Sequence, residues 1–288
     1  MTEEELQQER ARRWRVNGNP IQTIEDARSF LDSVGFCLLY PVRSLPVIPT
    51  FIGAYTGSSQ GLPDARHAFA DPRTKPAIEL MVRLLRERNA YEINFMPESS
   101  LVVSAELFPF FYALTGDRNP KAAPKMKAQG AKVSPLAIKI FEVLQKKGAL
   151  SKGVLRELIG GEPSNAALDR ALNELWSILK ITRVDYNERE GASWDLLYHW
   201  SPKAVKEGVA LSLPEAISGL LGKYLEGAVA AEQEEIEAVF SVLVSRAKIR
   251  DAVHALLAAR EVQMITPGGK TLIQVTPVQT LPRSRVHG

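Results

Sequence analysis

The feature that most constrains this chain is an order of elements that occurs twice. In 134–205 and again in 212–277, three amphipathic helical patterns are followed by two β-like runs, each copy about 70 residues long. In the first copy, Ser134-Pro135 is a capped start, and 135–147 carries the stripe Leu136, Ile140, Val143 and Leu144 before Gly148. Ser151 caps 152–159, and Gly160-Gly161 ends it. Ser164 caps 165–179, whose stripe is Leu168, Leu172, Leu175 and Leu179. Strand-like runs Ile181 to Tyr186 and Trp194 to Trp200 flank the turn NEREGAS. In the second copy, Ser212-Leu213-Pro214-Glu215 reads as a capping box that opens 214–226. Helical patterns over 232–244 and 246–260 follow, then alternating runs at 261–266 and 270–276 around Pro267-Gly268-Gly269. Three helices and a hairpin is the winged-helix order, a form of helix-turn-helix. The predicted fold is therefore mainly α with short β-hairpins (α+β), built as tandem winged-helix units.

The N-terminal part reads as a third unit, residues 1–118, with a long insertion. A charged helix over 3–15 places Glu3, Glu4 and Glu5 before Arg10, Arg12, Arg13 and Arg15, the order that suits a helix dipole. Thr23 caps 23–33, and the apolar run Val34 to Pro49 is broken by Pro41, Pro46 and Pro49, so it reads as a buried turn or short strand lining something. Residues 42–72 are rich in turn formers and are expected to be irregular. A helix over 75–89 has an apolar stripe and a second face of Arg83, Arg86 and Arg88; it is the candidate recognition helix of this unit. Strand-like runs Tyr91 to Phe95 and Leu101 to Ser104 would flank a wing at Met96–Ser100, and the aromatic stretch 105–114 is expected in the core. Residues 119–133 form a basic linker with Lys121, Lys125, Lys127 and Lys132, and 278–288 a basic tail.

Net charge is only +3 over 288 residues, so the distribution of charge matters more than its total. The lone Cys37 excludes an intramolecular disulfide and a cysteine metal cluster, and it lies in an apolar run as a buried thiol would. His67, His199, His254 and His287 are scattered, so no metal is expected. His199 falls in the second strand-like run, and His254 faces outward on its helix. The glycines form no dinucleotide or phosphate-loop pattern and no serine elbow is present, so no cofactor is expected. MTEEELQQERARRWR lacks the apolar segment of a secretory signal, and no run reaches membrane-spanning length; the expected compartment is the cytoplasm.

The candidate phosphate-contacting residues are Arg12, Arg13 and Arg15 in the N-terminal arm, Arg83 and Arg86 in the helix over 75–89, and Lys125 and Lys127 in the linker. In the last unit they are Arg246, Lys248 and Arg250 on the third helix and Lys270 in the wing. The face of 165–179, with Asp169, Arg170 and Glu174, is mixed in sign and less suited to phosphate. Each charged stretch also has a plain reading as a solvated face.

The segments RRWRVNG, TIEDARSFLDSVGFCLLYP and PESSLVVSAELFPFFYAL, with the two downstream units, resemble the AlkZ/YcaQ-like tandem winged-helix DNA glycosylases, in the AlkZ-related branch. The resemblance implies a concave basic surface for double-stranded DNA, damaged or intact, and metal-free hydrolysis of the N-glycosidic bond. In that family a Gln-x-Asp or Gln-x-Gln motif before a proline positions the water. The matching positions here are Leu38 and Tyr40, before Pro41. A His-Glu-Ala-Ser-like stretch is matched by Pro97-Glu98-Ser99-Ser100, which keeps the acid. Leu38 offers no polar atom and Tyr40 one phenol. Three functions remain open: a DNA-binding protein without the usual glycosylase activity, a divergent glycosylase using Glu98 with Tyr40, and a protein-interaction scaffold.

Overall fold

The computed structural model describes residues 2–62, 71–94, 96, 99–125, 133–187 and 189–277. The first segment contains α1 (Glu3–Arg13), α2 (Ile24–Val34), β1 (Phe36–Leu38), α3 (Phe51–Thr56), α4 (Lys75–Arg86), β2 (Ala90–Ile93), β3 (Leu101–Ser104) and α5 (Phe108–Thr115). The second contains α6 (Pro135–Lys147), β4 (Leu150–Ser151), α7 (Lys152–Leu158), α8 (Asn165–Ser177), β5 (Ile181–Asn187), β6 (Gly191–Leu196), α9 (Leu197–Trp200) and α10 (Pro202–Ala210). The third contains α11 (Leu213–Ala228), α12 (Gln233–Phe240), α13 (Arg246–Ala258), β7 (Val262–Ile265) and β8 (Leu272–Val275). The fold is mainly helical with small antiparallel sheets, in orders β1-β3-β2, β4-β6-β5 and β7-β8. No described helix is long and apolar enough to cross a membrane.

Local chemistry sets most helix starts. The hydroxyls of Ser134, Ser151, Ser164 and Ser212 accept the backbone N–H three residues on, which satisfies a donor that the first helical turn cannot. Thr23 and Asp26 form a full capping box, as do Ser212 and Glu215.

Several boundaries differ from the sequence pattern. The strand over Trp194 to Trp200 ends at Leu196; Leu197–Trp200 is a short helix that holds His199, and α10 follows from Pro202. The helix over 232–244 stops at Phe240, and residues 51–56 of the expected irregular stretch form α3, capped by Thr50 and ended by left-handed Gly57. All eight strand residues of the hairpin β2–β3 are buried, so both strands belong to the core. Phe95, Pro97 and Glu98 lie outside the described residues, as do His67, His287, Lys127, Lys132 and the tail.

One core joins the first and third segments. Phe36 of β1 meets Phe111 of α5 edge-on at 5.4 Å, stacks on Tyr224 of α11 at 6.2 Å and meets Phe240 of α12 at 6.1 Å. A second core gathers α2, α3 and α4 against Cys37, Leu39 and Tyr40, and a third fills the space between α6, α7, α8 and the β4-β6-β5 sheet. The N-terminal helix closes the end of α11. That helix ends at Val229, whose φ of +70° is costly for a β-branched residue. Arg10 donates to the carbonyls of Ala228 at 3.1 Å and Ala230 at 2.6 Å, on both sides of that residue. Trp14 Nε1 donates to Gly227 O at 3.0 Å, and Arg13 donates to Glu226 O. Cationic groups at a helix C-terminus also suit its dipole.

Candidate functional site

The segment 36–49 places the motif positions. Leu38 is fully buried at the end of β1, opposite Leu101 of β3, and its N–H donates to Pro49 O at 2.9 Å. Leu39 N–H donates to Ser100 O and Tyr40 N–H to Ser99 Oγ, both at 2.9 Å, so the chain past the end of β1 stays tied to the residues that lead into β3. The Tyr40 ring belongs to the second core, and its buried hydroxyl has no hydrogen-bond partner. Burial pushes the phenol well above its ordinary pKa, and the negative charge of Glu92 adds to the shift while Arg183 opposes it. Cys37 is wholly buried, and desolvation pushes its thiol up as well. Both are protonated near neutral pH, so neither supplies an anionic nucleophile or base there.

The structure brings an ion pair to this corner that the sequence pattern did not single out. Glu92 lies on β2 with its side chain 1% exposed, and Arg183 of β5 donates from Nη1 to both carboxylate oxygens, at 2.9 and 2.8 Å. Ser100 Oγ donates to the same carboxylate at 2.6 Å, and Trp176 Nε1 donates to the Glu92 carbonyl at 3.0 Å. The guanidinium of Arg183 sits 5.1 Å from the Trp176 ring centroid and 5.3 Å from that of Trp194, a double cation–π contact. Arg183 Nε and Trp194 Nε1 are buried without hydrogen-bond partners. With the Tyr40 hydroxyl, three buried donors lack acceptors around one ion pair, a pattern that calls for ordered water or a ligand atom. Both oxygens of Glu92 are engaged, which suits a counter-ion better than a general base. A polar residue inside the apolar strand AYEI was the available signal for Glu92; its partner, Arg183, is distant in sequence.

The expected phosphate contacts fall into distinct environments. Arg12 and Arg13 share the Glu9 carboxylate at 2.7 and 2.9 Å, and their hydrogen bonds lower its pKa to about 2. Arg15 stands 3.7 Å from Asp26. These three arginines line one cleft of about 560 Å³ between α1 and α2. Arg83 pairs with Glu87 at 2.8 Å, and Arg86 crosses to Asp185 of β5 at 2.6 Å, so α4 uses that arginine to hold the second segment. Lys125 is exposed. On α13, Arg246 and Lys248 are exposed, whereas Arg250 is bidentate on Glu237 at 2.7 and 2.9 Å. Lys270 is 3.8 Å from both Glu3 and Glu232. The proline-broken run lines a separate groove of about 430 Å³ with α1, its walls including Arg10, Trp14, Pro41, Arg43 and Pro46. Among the described residues no His, Cys, Asp or Glu cluster is arranged to hold a metal.

Comparison with known proteins gives these features a family. Residues 21–241 match the model of the AlkZ-related family, and the chain belongs to that family. A comparison with curated proteins returns no match. Among solved structures, the Streptomyces sahachiroi DNA glycosylase AlkZ is similar, with a TM-score of 0.58 at 13% identity over 96% of this chain and 70% of that one. At this identity the likeness is one of fold.

Proposed function

We propose that this AlkZ-related chain binds double-stranded DNA through tandem winged-helix units at 1–118, 134–205 and 212–277, and does not use its motif segment to hydrolyse a glycosidic bond. The observation that carries the second half is the pair of motif positions. Leu38 is an apolar core residue, and Tyr40 is a buried phenol held neutral by desolvation. Where the resembling enzymes have two acceptor-bearing groups to hold water and offset positive charge on the sugar, these two positions offer one neutral phenol and no anionic group. The DNA reading is supported by the family, by the fold shared with a protein named as a DNA glycosylase, and by α13. That helix is the third of its unit, the one that enters a major groove, and it presents Arg246 and Lys248 to solvent.

The test is anisotropy on a labelled duplex across a salt series. Each phosphate neutralised contributes about −0.9 to the slope of log Kobs against log salt. Arg246→Ala with Lys248→Ala should make the slope shallower by roughly 2. An unchanged slope removes α13 from the interface, and no binding at low salt removes the DNA reading. A second reading, a divergent glycosylase, is favoured by the three partnerless donors beside Glu92. It requires release of a damaged base that Glu98→Gln abolishes.

A further inference from the structure

We infer that the cleft between α1 and α2 is an oxyanion site that takes a phosphate group, with Arg15 as its anchor. The inference deepens the DNA reading where the phosphate belongs to a strand, and stands apart from it where the phosphate is free.

Arg15 follows the end of α1 with a φ of +56°, and Asn19 has a φ of +50°, so the turn between the two helices holds two non-glycine residues in the left-handed region. The Arg15 side chain lines the cleft, and only 15% of it is exposed. Its Nη1 is buried and donates to no acceptor. The nearest carboxylate, Asp26, is 3.7 Å away, beyond hydrogen-bond range. Asp26 is already engaged as the capping acid of α2, accepting N–H groups of Gln22 at 3.2 Å and Thr23 at 3.0 Å, and these contacts lower its pKa. Asp26 thus caps the helix through Oδ2, and its Oδ1 pairs with Arg15 by charge at 3.7 Å without a hydrogen bond, so the guanidinium donor keeps an unfilled hydrogen-bonding position.

The other walls add charge and donors. Arg12 and Arg13 share one carboxylate, Glu9, so three guanidiniums face two acids and the cleft keeps a positive excess. Arg12 is 72% exposed and is held by two hydrogen bonds to Glu9, at 2.8 and 2.7 Å, a surface pair that a bound anion can compete for. Ser29 and Ser33, one turn apart on α2, line the far wall, and Asn17 completes the rim. A planar guanidinium fork with hydroxyl and amide donors around a concave, solvent-open volume is matched by a tetrahedral oxyanion. A cation is repelled there, and an apolar group would leave the Arg15 donor unmet.

The experiment titrates the full chain with inorganic phosphate and pyrophosphate by calorimetry at constant ionic strength, with chloride as the control. The same protein is then titrated by anisotropy with a nicked duplex bearing a 5′-phosphate, the same nick bearing a 5′-hydroxyl, and an intact duplex. The variants are Arg15→Gln and Ser29→Glu; the second places a carboxylate on an exposed helix face and keeps the cleft decisive if the first fails to fold. Phosphate should bind and chloride should not, and each variant should weaken phosphate about tenfold or more. A matching loss on DNA assigns the phosphate to a strand, with preference for the nicked end marking a terminal phosphate. Unchanged DNA affinity alongside lost phosphate affinity assigns a free phosphate or nucleotide. Phosphate bound without DNA would overturn the proposed function and leave the site intact. Absence of phosphate binding, or equal binding by Ser29→Glu and wild type, overturns the inference.

Discussion

Replacement of Arg183 by methionine tests the polar corner most severely. Glu92 is 1% exposed, and two of the three side-chain hydrogen bonds to its carboxylate come from Arg183 Nη1. Removing one member of a buried pair leaves the other charge uncompensated, at a cost of about 3–5 kcal/mol. Methionine keeps the volume between Trp176 and Trp194 and a sulfur–aromatic contact, so the loss of the cation–π contacts is partly offset. For a fold whose whole stability is on the order of 5–15 kcal/mol, this is a large fraction. The assay is urea unfolding at pH 7 in a double-mutant cycle with Glu92→Met. Because the double variant buries no charge, it should be more stable than Arg183→Met by about 1 kcal/mol or more. A cost below about 1 kcal/mol for Arg183→Met would refute the reasoning. So would a double variant no more stable than the single.

Three further outcomes follow from other contacts. Arg250 holds the pKa of Glu237 down to about 2 from an ordinary 4.5, so this pair contributes stability above pH 4.5 that is lost as pH falls toward 2. Arg250→Ala should lower the urea midpoint at pH 7, with the difference from wild type shrinking as pH falls through that window. Lys180 is fully buried, with Nζ 2.7 Å from the carbonyls of Asn119 and Ala122 and 2.8 Å from Asp117. Lys180→Met should cost about 3 kcal/mol or more and speed proteolysis of 119–133, read by urea unfolding and limited digestion. At Gly208 an added Cβ would meet Tyr112 Cβ at 2.7 Å and Pro109 O at 2.8 Å, so Gly208→Ala should cost about 1–3 kcal/mol in the same unfolding assay.

The legible parts of this fold were those fixed by short-range chemistry. Ser134-Pro135, Ser151, Ser164 and Ser212 announce helices because a hydroxyl beside a free N–H decides the start locally. The hairpin β7–β8 is likewise announced by its turn. The end of β6 was not legible. An aromatic run continues through Trp200, and only packing of α9 and α10 against the sheet and α5 turns it into helix. Charge was the least legible property. An arginine on a solvent face reads the same whether it meets a phosphate, Asp185 as Arg86 does, or the open end of α11 as Arg13 does. For the same reason the pattern gave no sign that Arg183 would meet Glu92: the pairing is a consequence of how two sheets pack.

The most direct test of DNA binding without motif-led hydrolysis uses one preparation of the full chain and two readouts. Binding is measured on a duplex with an abasic-site mimic and on its intact counterpart across a salt series, and base release is measured on a duplex carrying an alkylated base. The expected result is salt-steep binding to duplex DNA with no base released. Release of the alkylated base, or no binding to either duplex at low salt, would contradict it.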